Sequence, residues 1–166
     1  GEVIHGDYAR WVNDEMLHSV TNYELWKGLY SGHNDHNYFE IAHTVQRLYD
    51  MGGDKLNLYN FVDNHDVTRV ASILNNAKHL PLIYTLAFGM PGIPCVYYGS
   101  EWGATGRKED GDPALRVSFD TPIWNDLTTF ISKLAVAKKS SNALNYGSFS
   151  SIVLTNEQCI FLRQYN

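Results

Sequence analysis

A strand-like run that stops abruptly on acids constrains this chain more than any other feature. Residues 56–62, Leu56-Asn57-Leu58-Tyr59-Asn60-Phe61-Val62, set apolar against amide side chains and are rich in aromatic and branched residues. That is the pattern of a strand. The next four residues are Asp63-Asn64-His65-Asp66, all polar. A buried strand ending on carboxylates and an imidazole is what an α/β enzyme presents at the carboxyl end of its sheet. The same residues also read as a helix start. Asp63 or Asn64 could cap residues 67–74, because a short oxygen-bearing side chain satisfies the free amides of a first turn. Local pattern leaves both readings open.

The flanking segments favour the sheet. Tyr38, Ile41, Ala42, Val45, Leu48 and Tyr49 fall on one helical face, and Asn37 with Glu40 has capping-box spacing. Gly52-Gly53 supplies a left-handed stop. Before this helix, a short helical stretch is expected over 9–16, a second strand over 19–25 and a loop over 30–37. After it, a helix begins at His79-Leu80-Pro81 and runs to Gly89, with its proline in the first turn. Pro91-Gly92 turns the chain into a short strand over 93–99, which exits onto Glu101-Trp102. A glycine- and charge-rich loop over 103–113 leads to a last long helix over 126–140. Lys138 and Lys139 near its end suit the helix dipole.

Strand alternating with helix at this spacing predicts parallel strands joined by right-handed crossovers. Glu2, Glu24, Asp66 and Glu101 would then stand at strand ends on one rim. From Tyr146 the character changes. Residues 149–154 and 159–165 read as a hairpin around Thr155-Asn156-Glu157-Gln158. The expected division is an α/β body over 1–145 and the opening of an appended antiparallel β-domain over 146–166.

Composition narrows the partners. At 166 residues and 44% hydrophobic, the chain can bury the core of an ordinary domain. A net charge of −5 with scattered Lys and Arg argues against nucleic acid or an anionic membrane as partner. The most apolar stretch, 81–98, is broken by prolines and glycines and does not read as a membrane span. Cys95 and Cys159 lie in apolar segments without metal or redox spacing, so free thiols are expected and the compartment is left open. The chain opens on Gly1-Glu2-Val3-Ile4, which reads as the tail of a strand and suggests a chain cut there.

Three ordered motifs resemble those of a known family. Phe61-Val62-Asp63-Asn64-His65-Asp66 resembles the fourth short conserved region of the α-amylase superfamily, glycoside hydrolase family 13. Gly1-Glu2-Val3 resembles its third region, and residues 92–101, from Gly92-Ile93-Pro94 to Tyr98-Gly99-Ser100-Glu101, resemble its eighth-strand segment. The resemblance covers nearly the whole chain and implies a partial (β/α)8 TIM barrel, strands five to eight, plus the start of a C-terminal β-domain. It implies Glu2 as general acid/base, protonating the glycosidic oxygen and later activating water. Asp66 would be the carboxylate that holds sugar hydroxyls and helps distort the ring, and His65 a hydroxyl-binding donor beside it. Asn64, Tyr98 and Trp102 would contribute to substrate binding, Trp102 by stacking on a sugar ring. The implied substrate is starch or a maltooligosaccharide, an α-glucan cleaved with retention by one protonated and one ionised carboxyl group.

The chain departs from the family in one respect that matters. The nucleophile, an Asp in a Gly-x-Arg-x-Asp segment on the fourth strand, has no counterpart here, nor has the inserted domain that usually binds calcium. The expectation is a chain inactive by itself, needing no cofactor of its own, whose open strand edges drive self-association. The rival reading is a non-catalytic carbohydrate-binding or assembly relative of the same family.

Other residues draw weaker expectations. Asp63 is given a capping role, and Arg69 and Arg116 are expected as ion-pair partners. Glu24 and Glu101 either line outer subsites or solvate strand ends. His5 and His18 read as surface histidines. His33 and His36 lie in a presumed loop without a third thiolate or imidazole at ligand spacing, so no metal is expected.

Overall fold

The computed structural model describes residues 1–53 and 56–166. After an extended start, a single 3₁₀ turn spans Tyr8–Arg10 and is capped by the Asp7 side chain. Helix α1 covers Tyr23–Asn34 and helix α2 Tyr38–Gly52. Strand β1 is Tyr59–Phe61, followed by the one-turn helix α3, Val70–Ile73, and by α4, Leu80–Gly89. Strand β2 is Ile93–Cys95. Short α5, Asp112–Leu115, precedes the long α6, Asp126–Ser140, and short α7, Asn142–Tyr146. Strands β3, Ser148–Leu154, and β4, Cys159–Gln164, close the chain as an antiparallel hairpin with an irregularity between Ser151 and Val153.

The expected α2, α4, α6 and hairpin are found, and β1 pairs with β2 in parallel, Tyr59 opposite Ile93 and Phe61 opposite Cys95. Three local expectations are corrected. Residues 19–25 do not form a strand beyond a single parallel bridge from Thr21 to Tyr59. The Asn22 side chain accepts from the Leu25 amide at 3.1 Å and starts α1 instead. Glu24 therefore sits in the first turn of a helix, ion-paired with Arg47, and not at a strand end. Residues 30–34, expected as loop, are the last turns of α1. Its glycines serve packing: a Cβ on Gly32 would stand 2.9 Å from the Asn37 carbonyl oxygen. The helical stretch expected over 9–16 shrinks to the 3₁₀ turn and a loop bridged between Val12 and Leu17. Asn37 precedes α2 without a side-chain cap bond, whereas Gly53 does end it at φ +59°.

Four extended segments lie side by side. The Thr21 amide donates to the Gly1 carbonyl at 3.0 Å, and the Val3 amide to the Thr21 hydroxyl at 3.0 Å. Tyr59 donates to Val20 and receives from Asn22, both at 2.9 Å, and Ile93 donates to Leu58 at 2.8 Å. Residues 1–3, 19–21, 59–61 and 93–95 thus follow one another across the row in sequence order, with parallel pairing where bridges form. Neighbouring strands in chain order are what a helix-covered barrel sheet requires.

The helices pack against that row, while Glu2, Tyr59 and Ile93 stay exposed. Leu25 and Leu29 of α1, Ile41 and Val45 of α2, Val62 just after β1, Ile83 and Tyr84 of α4, and Ile131 of α6 belong to one apolar cluster. Each fully buried aliphatic side chain contributes about 1.5–3 kcal/mol. Phe149 and Phe161 of the hairpin pack on the same cluster. Gly89 is bare because a Cβ there would meet the Phe161 ring at 2.6 Å. Arg163 ties the hairpin down further, donating to the Gly89 and Gly147 carbonyls at 2.9 and 2.7 Å. Among the described residues no helix is long and apolar enough to cross a membrane.

Candidate active site

The site is built where the row of extended segments ends. Beyond β1 the chain turns through Asp63-Asn64-His65-Asp66, and the Asn64 side-chain oxygen accepts from the Asp66 amide at 2.8 Å. This Asx turn aims Asp66 outward. Two places along the row, beyond residues 19–21, the segment 1–3 brings Glu2 to the same end. One ligating atom from each of Glu2, His65 and Asp66 lies within 4.8 Å of the others. His65 Nε2 stands 3.3 Å from Asp66 Oδ2. Glu2 is exposed and the other two half-exposed, so the cluster lies on an open face.

Tyr23 joins the acid to the turn. Its hydroxyl donates to Glu2 Oε1 at 2.9 Å and receives from Asn64 Nδ2 at 2.9 Å. Burial pushes the Tyr23 hydroxyl up to about 12, with the Asn64 donor lowering it and Glu2 and Asp66 raising it. It therefore stays a hydrogen-bond donor across the working range of any enzyme. Two cations and an imidazole surround Asp66. Arg116 Nη2 donates to Oδ1 at 3.1 Å, Lys108 stands at 3.9 Å, and His65 adds a third when protonated. Arg116 also reaches Asp112 at 3.5 Å, so it is the ion-pair partner expected of it.

Asp63 faces the opposite way. Its Oδ2 accepts from the Val70 amide at 2.7 Å, capping α3, and from the Ser100 hydroxyl at 2.8 Å. Burial raises its carboxyl from 3.8 to about 6, against the lowering effect of Val70, Ser100 and the Arg69 charge. Arg69 is fully buried and departs from its expected ion-pair role. Its guanidinium donates to the Tyr98 carbonyl at 2.7 Å, the Ser100 hydroxyl at 3.0 Å and the Leu115 carbonyl at 2.9 Å. The rings of Tyr97, Tyr98 and Phe119 close over it at 4.6, 5.2 and 5.8 Å. Carbonyls, a hydroxyl and aromatic faces make its direct contacts, and the Asp63 carboxylate acts on it across Ser100.

The structure thus brings Glu2, Asn64, His65 and Asp66 together. Tyr98 and Trp102 belong to the adjoining aromatic group, both edge-on to Phe119, at 5.8 and 5.2 Å. Gly99, at φ +87°, lets Phe119 enter, since a Cβ there would meet its ring at 2.6 Å. That group borders the Glu2 cluster through Leu115, whose carbonyl Arg69 holds, and Arg116, which holds Asp66. Glu101 lies on a 3₁₀ turn after β2, with one buried carboxylate oxygen lacking a hydrogen-bond partner. Sequence reasoning missed Tyr23 and Lys108. Tyr23 stood inside a segment read as a strand, and only the chain's return over 41 positions brings Asn64 to it.

Known proteins resemble this chain over its whole length. A cyclomaltodextrinase of Thermoanaerobacter pseudethanolicus is 27% identical over 176 residues, covering 99% of this chain and 29% of that protein. A cyclomaltodextrin glucanotransferase of Niallia circulans is 33% identical over 108 residues, 63% of this chain and 14% of the relative. The chain therefore spans less than a third of the curated relatives it matches. An Anoxybacillus α-amylase superposes with TM-score 0.84 at 25% identity, over the full chain and 38% of that structure. The α-amylase of H. orenii superposes at 0.86 and 18% identity, which speaks for the fold alone. These structural neighbours are (β/α)8-barrel enzymes. The family model of the α-amylase catalytic domain matches residues 1–147, and the chain belongs to that family.

Proposed function

We propose that these residues are strands five to eight of an α-amylase-type barrel, with the beginning of its C-terminal β-domain after residue 145, and carry half of a retaining glycosidase site. The substrate class is α-glucan or maltooligosaccharide. The reading rests on one observation: Glu2, His65 and Asp66 present ligating atoms within 4.8 Å of one another on an open face. The relatives' names, cyclomaltodextrinase, cyclomaltodextrin glucanotransferase and maltogenic amylase, support the substrate class.

In this reading Glu2 gives its proton to the glycosidic oxygen and later takes one from water. The Tyr23 hydroxyl orients Glu2 Oε1, leaving the other oxygen for the substrate. Asp66, set by the Asn64 turn and surrounded by Arg116 and Lys108, accepts hydrogen bonds from sugar hydroxyls as the ring flattens. His65 donates to a neighbouring hydroxyl. Tyr98 and Trp102 offer apolar faces to adjoining sugar rings.

The second carboxylate that forms the glycosyl-enzyme bond is an Asp the 166 residues do not supply. The chain alone is therefore expected to turn over neither starch nor nitrophenyl-maltoside. Fused behind a segment providing strands one to four and their Asp, it should gain turnover that Glu2→Gln abolishes. Turnover by the chain alone, lost on Glu2→Gln, would sink the half-site reading. A full-length parent with another residue at the strand-four Asp would favour the binding or assembly relative. The same reading expects the open edges beside residues 1–3 and β2 to pair between copies, so light scattering should show oligomers. A monodisperse monomer at working concentration would count against that part.

A further inference from the structure

Away from Glu2, His65 and Asp66, two imidazoles meet in the wall of a cavity of about 420 Å³. It lies between the end of α1, the turn before α4 and the turn of the β3–β4 hairpin. His33 stands in the last turn of α1 and is 9% exposed. Its Nε2 is 2.9 Å from His79 Nδ1, the rings crossing at 88°. The outer nitrogens are engaged as well. His33 Nδ1 meets the Tyr38 hydroxyl at 2.9 Å, and His79 Nε2 the Asn76 side-chain nitrogen at 3.1 Å.

The Asn76 end fixes the direction of this chain of bonds. The Asn76 oxygen accepts from the Lys78 amide at 3.0 Å, capping the 3₁₀ turn Ala77–His79, so its NH₂ faces the ring. An amide nitrogen only donates, so His79 Nε2 accepts and the His79 proton sits on Nδ1. That proton points at His33 Nε2, and the His33 proton, on Nδ1, goes to the Tyr38 hydroxyl. Every ring nitrogen is thus satisfied with both imidazoles neutral. A proton added to His79 enters at Nε2, on the exposed Asn76 side, and leaves the bond between the rings in place. A proton added to His33 enters at Nε2 and meets the His79 N–H. Two donors then face each other, and the contact breaks.

We propose that the His33–His79 hydrogen bond is an acid-operated latch, fastening the end of α1 to the turn before α4 at neutral pH and released by protonation of His33. Its neighbours show what it holds. Asn34, the next residue, donates to the Ile73 carbonyl at 2.9 Å and accepts from the Asn75 amide at 3.0 Å across the same seam. Tyr38, at the far end of the chain of bonds, donates its amide to the Asn156 carbonyl of the hairpin turn at 3.0 Å. Release therefore loosens the seam between α1 and residues 73–79 and, through Tyr38, the seat of the hairpin turn.

The surroundings suit such a trigger. Burial, followed by the nearness of His79 and His36, lowers the His33 pKa. A folded value below the unfolded one, about 6.5, gives stability that is complete above pH 6.5 and lost as pH falls through the folded value. The other titratable groups lining the cavity are His36, Tyr38 and Glu157, with Cys159 near Tyr38. Burial raises the Tyr38 hydroxyl and the Cys159 thiol, so both stay uncharged on acidification. His36 Nδ1 faces Glu157 Oε1 at 3.1 Å and pairs with it more tightly when protonated. That opposes release, but both side chains are 70% exposed and the pair contributes little. Asp35 and Lys78 are exposed and lie outside the lining.

The test is amide hydrogen exchange at pH 7 and pH 4.5, read as protection factors. A local readout is needed because the Asp63 carboxyl titrates in the same range and acts in the opposite sense. Protection at the Tyr38 and Asn75 amides should fall about tenfold or more at pH 4.5. His79→Asn places an amide where Nδ1 stood, able to donate to neutral His33 or, turned over, to accept from the protonated ring. In that variant the fall should shrink to within about twofold. Imidazole ¹⁵N shifts of the unaltered chain at pH 7 should show both His33 and His79 carrying their proton on Nδ1. Protons on Nε2 of both rings, unchanged protection at Tyr38 and Asn75, or an equal fall in His79→Asn would each overturn the latch.

Discussion

Asp63 and Asp66 are three residues apart in one hexapeptide and live in opposite surroundings. Asp63 is 1% exposed, holds a helix amide and a serine hydroxyl, and lies beside a buried arginine. Asp66 has a side chain 39% exposed and faces Arg116, Lys108 and His65 across solvent. One acid organises the end of the sheet; the other is left free to meet a ligand. Chemistry needs a carboxylate that solvent and substrate can reach, and the buried one keeps that carboxylate in place.

The contrast is sharpest through the two arginines. Arg69→Met leaves the Tyr98 and Leu115 carbonyls and the Ser100 hydroxyl without their donor and Asp63 without its neighbouring cation. It should cost about 3–5 kcal/mol in urea denaturation. Arg116→Met, which removes only exposed pairs, should stay within about 0.5 kcal/mol. Equal losses would erase the distinction drawn here.

A pH scan comes next. The Asp63 carboxyl is raised from 3.8 to about 6, so the folded state holds its proton more tightly than the unfolded one. The stability this lends is complete below pH 3.8 and is lost as pH rises through about 6, a change on the order of 3 kcal/mol. Asp63→Asn should flatten that slope between pH 4 and 6.5, measured by Tm, whereas Asp66→Asn should leave it intact. Asp63→Ala, which also loses the helix cap, should cost about 2 kcal/mol at pH 7. Asp66→Ala should cost about 0.5 kcal/mol or less there.

The smallest effect belongs to the link between the regions. Tyr23→Phe removes the hydroxyl that joins Glu2 to Asn64 and should cost about 1 kcal/mol. In a fusion that turns over maltosides, it should lower turnover more than it lowers Tm.

Much of this arrangement could be read from the residues. Helix α2 shows its stripe from Tyr38 to Tyr49, α6 its apolar face with lysines at its end, and the hairpin its two runs around Thr155-Asn156. Helix α1 could not. Gly28, Tyr30, Ser31 and Gly32 are weak helix formers, and their helix exists because Thr44 and the Asn37 carbonyl press against the bare glycines. Tertiary packing decides there, and no local pattern records it. The strands read longer than they are, because apolar alternation continues past the three residues that pair in each. Glu2, His65 and Asp66 were visible as ordered motifs. Tyr23 was not, because it acts through a partner far along the chain.

The buried guanidinium of Arg69 has a dynamic consequence. It grips the carbonyls after β2 and at the end of α5, and its own amide donates to Gly106 at 2.9 Å. Leu115, held this way, is next in sequence to the Arg116 that faces Asp66. Opening that loop would break the guanidinium's hydrogen bonds to the Tyr98 and Leu115 carbonyls and the Ser100 hydroxyl together, so the loop should not fray ahead of the core. Amide protons at Arg69, Ser100 and Gly103 should accordingly exchange only with the slowest protons of α4. Heat should then remove the site and the core in one cooperative step.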